Sequence, residues 1–276
     1  GNSICIGAEI ATDEDTIKRE VEYAYEYGID YFAFCWYPHN SGLDIPRRIF
    51  LNIKQNLLKW CLILGTNPFN KEDADWLIKE FASDSYLKIE NRPVIFLFDV
   101  NESLYKIVDY IRKKSNEYLP YFVGLVWNVE QAKSMNLLFE LDALSQYATP
   151  GKDNLSYNIL SSLEEDKWKQ YLDINKVVPW VTTGRDKRPR FDNPVSWEIC
   201  DNFVREFIQF PTILELKHHF KNAIDFSRVN ESDLILIYAW NEFDEGGFIE
   251  PTLSNGKINF DKLEAIKDVI DKNLKM

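Results

Sequence analysis

Short apolar runs, rich in β-branched and aromatic residues, alternate along the chain with longer stretches whose apolar positions recur every three or four residues. The runs are "ICIGAEI", "IDYFAFCW", "KWCLILGT", "PVIFLFD", "YFVGLVW", "LDALSQY", "KVVPWVTT" and "DLILIYAW". They are continuously apolar rather than alternating, which predicts strands covered on both faces, as in a parallel sheet. Between them, "DEDTIKREVEYAYEYG", "IPRRIFLNIKQNLL", "EDADWLIKEFA", "ESLYKIVDYIRKKSNEY", "NILSSLEEDKWKQYL", "CDNFVREFI" with "TILELKHHFKNAIDF", and "FDKLEAIKDVIDKN" read as helices. The first opens with acids, which suit a helix N-terminus, and stops at Gly28, which suits a C-terminal cap. Eight strand–helix units in 276 residues predict an α/β fold of the (β/α)8 TIM-barrel type, with a doubly wound open sheet as the alternative. No repeat or linker-like tract divides the chain, so residues 1–276 are expected to form a single barrel domain. No Gly-x-Gly-x-x-Gly or phosphate-loop pattern follows any run, which disfavours nucleotide-binding versions.

In a barrel of this kind the C-terminal ends of the strands build the site. Those ends carry Trp36, Tyr37 and His39; Thr66 and Asn67; Asp99; Trp127 and Asn128; and Gln146 and Tyr147. They continue with Arg185, Asp186, Arg188 and Arg190, and finish with Trp240, Asn241 and Glu242. Aromatic faces cover the apolar face of a sugar ring, while amides and acids satisfy its hydroxyls, so the rim suits a polyhydroxylated ligand. Any one of the tryptophans is equally well explained as a lid on the core.

The last run leads into "YAWNEFDEGGFIEP", where Glu242, Asp244, Glu245 and Glu250 place four carboxylates within nine residues. Like charges held close repel, and their pKa values are driven apart. Two carboxyl groups in different protonation states are what glycosidic cleavage commonly uses. Glu242 and Glu245 are three residues apart on a turn and can face one cavity, and Gly246 and Gly247 would let the backbone approach a ligand. The rival reading is a calcium site on Asp244, Glu245 and Glu250, whose spacing is not that of an EF-hand loop.

Charge and composition narrow the partners. A net charge of −12 and a pI of about 4.9 weigh against nucleic acid and anionic membranes as partners of the bare protein. The apolar runs are too short to span a bilayer. The four cysteines form no Cys-x-x-Cys pair and the three histidines complete no zinc spacing, so neither a metal nor another cofactor is expected. "GNSICIGAEI" lacks the basic start and long apolar core of a signal peptide, which leaves the compartment open.

"AWNEFDEGGFIEP" resembles the Trp-Asn-Glu-x-x-Glu-Gly-x-x-x-Glu-Pro signature of glycoside hydrolase family 99 and its relatives, the WbsX-type proteins of polysaccharide gene clusters. "YGIDYFAFCWY", "LDALSQYATPG" and "VPWVTTGRDKRPR" are similar to the same group, and the likeness runs from about Gly28 to Pro251. The resemblance implies a (β/α)8 barrel and, in the characterised branch, endo-acting cleavage of α-mannosides with retention through a 1,2-anhydro sugar. By position, it implies that Glu242 is the base that deprotonates the 2-hydroxyl, that Glu245 is the acid/base, and that Glu250 is structural or at the rim. Trp36, Tyr37, Asp99, Tyr147, Arg185, Asp186, Arg188, Trp240 and Asn241 are the accompanying candidates for substrate binding.

The chain departs from the pattern at Phe243, where an aromatic, usually Trp, is expected, and at Arg185, where relatives often carry Trp. Relatives also carry an aromatic-rich first strand upstream of "ICIGAEI". Either that segment is missing here or "ICIGAEI" stands in for it. The expected protein is a monomeric retaining glycoside hydrolase acting on an oligo- or polysaccharide. A WbsX-type glycosyltransferase and a non-catalytic carbohydrate-binding barrel are the alternatives.

Overall fold

The computed structural model describes residues 4–5, 13–53, 57–150, 154–192, 207–254 and 256–274. In chain order the elements begin with β1 (Ile4–Cys5), α1 (Glu14–Glu26), β2 (Tyr31–Cys35), α2 (Ile45–Asn52), β3 (Lys59–Leu64), α3 (Lys71–Glu80) and β4 (Lys88–Ile89). There follow β5 (Arg92–Leu97), α4 (Glu102–Lys114), β6 (Tyr121–Leu125), α5 (Val129–Phe139), β7 (Ala143–Ser145), α6 (Tyr157–Leu172) and β8 (Trp180–Thr182). The chain continues with α7 (Pro189–Asp192), α8 (Ile213–Val229), β9 (Leu236–Tyr238), β10 (Asn241–Glu242), β11 (Gly247–Phe248), β12 (Thr252–Ser254), β13 (Lys257–Asn259) and α9 (Asp261–Leu274). Contacts group these into two compact units, one of residues 10–145 and 171–177, the other of residues 1–9, 146–170 and 178–276.

The first unit is built on five parallel strands in the order β2-β3-β5-β6-β7, with the short β4 antiparallel to β5. The register runs Cys35↔Ile63, Ile63↔Phe96, Phe96↔Val123 and Val123↔Ala143. Trp60–Leu64 of β3 and all five residues of β6 are buried, which is why these strands read as unbroken apolar runs. Three of the turns after strands end in an asparagine that caps the next helix. Asn70 accepts from Glu72 N at 2.7 Å, Asn101 from Leu104 N at 2.8 Å and Asn128 from Gln131 N at 2.9 Å. Asn128, expected on a ligand-binding rim, therefore spends its side-chain oxygen on α5.

The second unit holds the parallel pair β8-β9, with Thr182 opposite Tyr238. The antiparallel hairpin β10-β11 follows, with Glu242 opposite Gly247. A three-stranded antiparallel sheet, β1-β12-β13, completes it. Helix α8 starts with a capping box, Thr212 with Glu215, and is tied to α9 by Lys217 Nζ on Asp268 at 2.7 Å.

Parallel strands alternating with helices make this an α/β fold of the (β/α)8 class; among the described residues the ladders do not close into a ring. Seven of the eight expected strands are present. Of "ICIGAEI", Ile4 and Cys5 pair antiparallel with Leu253 and Thr252 rather than joining a parallel ladder, and residues 6–10 lie outside the described residues. Most of "CDNFVREFI" also lies outside them, and its last two residues, Phe207 and Ile208, form isolated bridges rather than helix. Helix α5, the short β4, the β10-β11 hairpin and the pair β12-β13 are not among the elements expected from the sequence.

Candidate functional site

The acidic stretch folds as a hairpin closed by one tight turn. Strand β10 ends at Glu242, Phe243–Glu245 make a single 3-10 turn, and Gly246 (φ 72°) returns the chain into β11. The left-handed φ is natural to glycine. A Cβ at Gly246 would sit 2.9 Å from Asp186 Cβ, and one at Gly247 would sit 2.2 Å from Tyr238 Cε1. The expectation that these glycines open space for a ligand is corrected accordingly: the chain's own Asp186 and Tyr238 fill that space.

The two glutamates have different surroundings. Glu245 is buried and accepts from three donors. Arg190 Nη1 lies 2.6 Å from Oε1, while Arg185 Nη1 and the Tyr238 hydroxyl both contact Oε2. Arg185 Nη1 also donates to the Tyr238 oxygen at 2.6 Å, and burial pushes the Tyr238 phenol up, so it stays a donor. The backbone is fastened too, with Asp186 N donating to Glu245 O at 2.6 Å. Such a set of contacts suits an ionised carboxylate.

Glu242 is partly buried and accepts from the Tyr147 hydroxyl at 3.2 Å. Burial raises its carboxyl above the ordinary value and the nearby Asp244 raises it further. Tyr147, Arg190 and Arg185 pull the other way, and burial prevails. Asp244 itself takes Arg190 Nε at 2.7 Å. Arg188 is exposed and forms a two-point pair with Asp186, Nε to Oδ1 at 2.8 Å and Nη2 to Oδ2 at 2.6 Å. Trp240 is half-buried, Asn241 is exposed, and Glu250 is buried with its backbone N–H on Trp240 O at 2.9 Å. Tyr147, Arg185, Asp186, Arg188, Trp240, Asn241, Glu242, Glu245 and Glu250 thus belong to one unit, together with Tyr238, which the sequence reading left inside a strand. Its place at the head of the signature stretch was the available signal.

The other candidates lie in the first unit at the C-terminal ends of its strands. Trp36 follows β2 and is fully buried. Its indole N–H donates to Pro68 O at 2.9 Å, and its ring packs on Phe69 and Trp76 with the Arg47 guanidinium 5.1 Å above it. That placement is a core residue's and does not support a sugar-stacking role. Tyr37 is half-buried. Asp99, after β5, is exposed and accepts from Val100 N at 2.7 Å and Asn101 Nδ2 at 2.9 Å.

A second titratable cluster, unsuspected from the sequence, lies under β8. Glu164 and His219 are both buried, with His219 Nε2 3.3 Å from Glu164 Oε2. Thr182 N donates to that oxygen at 3.1 Å, and the Tyr157 hydroxyl lies 3.0 Å from His219 Nδ1. Burial pushes Glu164 up to about 7 and His219 down to about 3, so both favour their neutral forms. Among the described residues no group of three His, Cys, Asp or Glu is arranged to hold a metal ion, and no helix is long and apolar enough to cross a membrane.

Two solved structures of the GH99 endo-alpha-mannosidase from Bacteroides thetaiotaomicron share the fold. One, with bis-tris-propane bound, matches with a TM-score of 0.66 over 96% of this chain and 86% of that chain. The other matches with a TM-score of 0.68 over 99% and 84%, and both are 14% identical in sequence. A mouse protein, the Run domain Beclin-1-interacting and cysteine-rich domain-containing protein, is 35% identical over 107 residues, which are 39% of this chain and 9% of that protein. This chain therefore spans less than a tenth of that curated relative. The family model described as glycosyltransferase WbsX matches residues 64–263, more than two thirds of the chain, including the whole acidic hairpin. The chain belongs to the WbsX family.

Proposed function

We propose that the protein is a glycoside hydrolase that cleaves an oligo- or polysaccharide, with an α-mannoside-like linkage as the first candidate, through the carboxyl groups of Glu242 and Glu245. The observation that carries this reading is the unlike treatment of two glutamates three residues apart. One is raised by burial and by Asp244, and the other is gripped by two guanidinium groups. Carboxyl groups in different protonation states are the apparatus of glycosidic cleavage. The fold supports it, since structures of an endo-alpha-mannosidase share it over nearly the whole chain.

The family's description favours a second reading, transfer from an activated sugar. A transferase that uses a nucleotide sugar needs cations for the diphosphate. Here Arg185, Arg188 and Arg190 are each engaged by a carboxylate, which weighs against that use. A panel of α-mannans and bacterial surface polysaccharides, assayed for released oligosaccharide, tests the hydrolase. Release by the wild type and its loss in Glu242→Gln is expected. No release, with saturable binding of a nucleotide sugar, would favour the transferase. Saturable polysaccharide binding alone would favour a non-catalytic barrel.

A further inference from the structure

We infer that Glu164 and His219 are positioning residues for the acidic hairpin. A proton on the Glu164 carboxyl completes a chain of hydrogen bonds through His219 and Tyr157 to the backbone of Thr182, and its loss frees the end of β8 that leads to Arg185. The inference rests on the hydrolase reading for what the hairpin does, but not for where the proton lies.

Among the described residues β8 pairs with β9 alone. That ladder runs through Thr183, whose N–H is on Tyr238 O at 2.8 Å. The backbone groups of Thr182 are met by side chains instead. Glu164 Oε2 accepts from Thr182 N at 3.1 Å, and the Tyr157 hydroxyl donates to Thr182 O at 2.9 Å. Buried backbone groups require such partners.

The hydrogens of this chain can be counted. The phenol has one, which burial helps it keep, and it goes to Thr182 O. The phenol oxygen then accepts from His219 Nδ1, 3.0 Å away. Neutral His219 carries its one hydrogen there, so Nε2 is a bare acceptor. Nε2 faces Glu164 Oε2 at 3.3 Å and has no other hydrogen-bond partner. Three contacts thus lie in series, and the phenol and the imidazole supply two hydrogens. The third sits on Glu164. Lys167 and the side chains of Thr149 and Thr182 favour the ionised carboxylate, and burial outweighs them. His218 opposes a charge on His219, while Glu164 and Glu215 oppose one on Tyr157.

When the Glu164 O–H bond breaks and the proton leaves to solvent, two hydrogens remain for three contacts. The imidazole hydrogen moves to Nε2, toward the carboxylate. The phenol turns to Nδ1, and Thr182 O is left without a donor. Thr182 lies three residues before Arg185, whose guanidinium holds Glu245.

Nitrogen-15 spectra of the histidines in the intact chain read the hydrogens without requiring activity. His219 is expected to stay neutral, with its hydrogen on Nδ1 below about 7 and on Nε2 above. Glu164→Gln should abolish that step. Hydrogens on both nitrogens, or one on Nε2 throughout, overturn the inference. Kinetics test the positioning. In the ratio of kcat for wild type to kcat for Glu164→Gln, titration of the acidic hairpin cancels. That ratio should fall about tenfold as the proton is lost, with KM steady, the scale of a modest misplacement at a catalytic site. Tyr157→Phe removes the link to Thr182 and should show no such fall; it replaces Glu164→Gln as the reference if the latter does not fold. A flat ratio overturns the positioning role. A wild type that cleaves no glycoside removes the hydrolase reading, and amide exchange at Thr183, taken as the same ratio, then decides whether the end of β8 is freed.

Discussion

Tyr147 and Tyr238 pack edge to face with ring centroids 5.2 Å apart, and each phenol serves a different glutamate. Tyr147 donates to Glu242 and Tyr238 to Glu245. The two carboxyls are thus held by adjacent, similar groups, and the arginines make the difference between them. Both guanidinium groups sit on Glu245. The charge pattern of the hairpin is set by where Arg185 and Arg190 go, and that gives the first prediction.

Arg190 joins the 185–190 segment to two acids, with Nε on Asp244 at 2.7 Å and Nη1 on Glu245 at 2.6 Å. Its side chain is 7% exposed, so water does little to replace it. Arg190→Met should destabilise the chain by about 2–3 kcal/mol, the cost of leaving a largely buried carboxylate short of a charged donor while Arg185 stays in place. Urea unfolding monitored by tryptophan fluorescence measures it. A change below about 0.5 kcal/mol, within the range of ordinary surface substitutions, would mean the contact is not formed.

Gly247→Ala should cost about 1–3 kcal/mol, the usual range for overpacking. The added methyl would meet Tyr238 Cε1 at 2.2 Å and Cδ1 at 2.6 Å, and the ring has Arg185 and Glu245 on its hydroxyl. The φ of Gly247 lies outside the left-handed range, so the substitution adds the clash and no backbone strain. An unchanged melting temperature would show that the Tyr238 ring moves aside at no cost.

Chelation should leave folding and activity intact. Asp244 and Glu245 already bind guanidinium groups, so calcium would have to displace Arg190 from both. The melting temperature is expected to be the same in EDTA and in excess calcium. A rise with calcium that saturates would place an ion on the acidic turn and remove Arg190 from it.

The parallel strands were legible because burial on both faces leaves an unbroken apolar run, as in "KWCLIL" of β3. Helix α5 was not, because its apolar residues lie on more than one side: Ala132, Met135 and Phe139 are buried while Leu137 and Leu138 are exposed. The antiparallel partner of Ile4–Cys5 lies near the other end of the chain, at Thr252–Leu253, and no local pattern encodes a pairing of that span. The acids of the candidate site stood out as a cluster in one stretch. Their partners did not, since Arg185 and Arg190 are about sixty residues away from Glu245 and only the fold brings them onto it.

Glu164 makes stability depend on pH in a direction opposite to most carboxylates. Its folded-state value is raised from 4.5 to about 7 by burial, so the folded chain keeps a proton that the unfolded chain releases. The associated stabilisation is fully present below 4.5 and lost as pH rises through about 7; it amounts to roughly 3 kcal/mol at 1.36 kcal/mol per unit. His219 runs the other way. Its value falls from 6.5 to about 3, so its contribution is present above 6.5 and lost as pH falls. Subtracting the pH–stability curve of Glu164→Gln from that of wild type isolates the first effect. The difference should decline with rising pH between 4.5 and 7. A flat difference would show that Glu164 is ionised in the folded chain throughout.

The Tyr147 phenol opposes the burial that raises the Glu242 carboxyl. The Tyr147 hydroxyl donates to Oε1 at 3.2 Å, and a donor favours the ionised carboxylate. Burial and Asp244 favour the protonated form and prevail while the phenol is present. Tyr147→Phe removes the opposing influence with almost no change in volume, so the titration midpoint of Glu242 should move further up. The linkage follows the same sign. A folded-state value above the unfolded one contributes stability at low pH that is lost as pH rises, so the variant should lose more than wild type on going to alkaline pH. If Glu242 acts as a base in cleavage, the acidic limb of the rate profile should move up with it. Titration of the Glu242 carboxyl by carbon-13 spectroscopy in both proteins checks the first step without reference to activity. A midpoint that falls would mean that the phenol stabilises the protonated acid by accepting its hydrogen, and the hydroxyl would then be assigned as an acceptor. A midpoint that rises while the kinetic limb stays fixed would keep the hydrogen bond and remove Glu242 from the base's role.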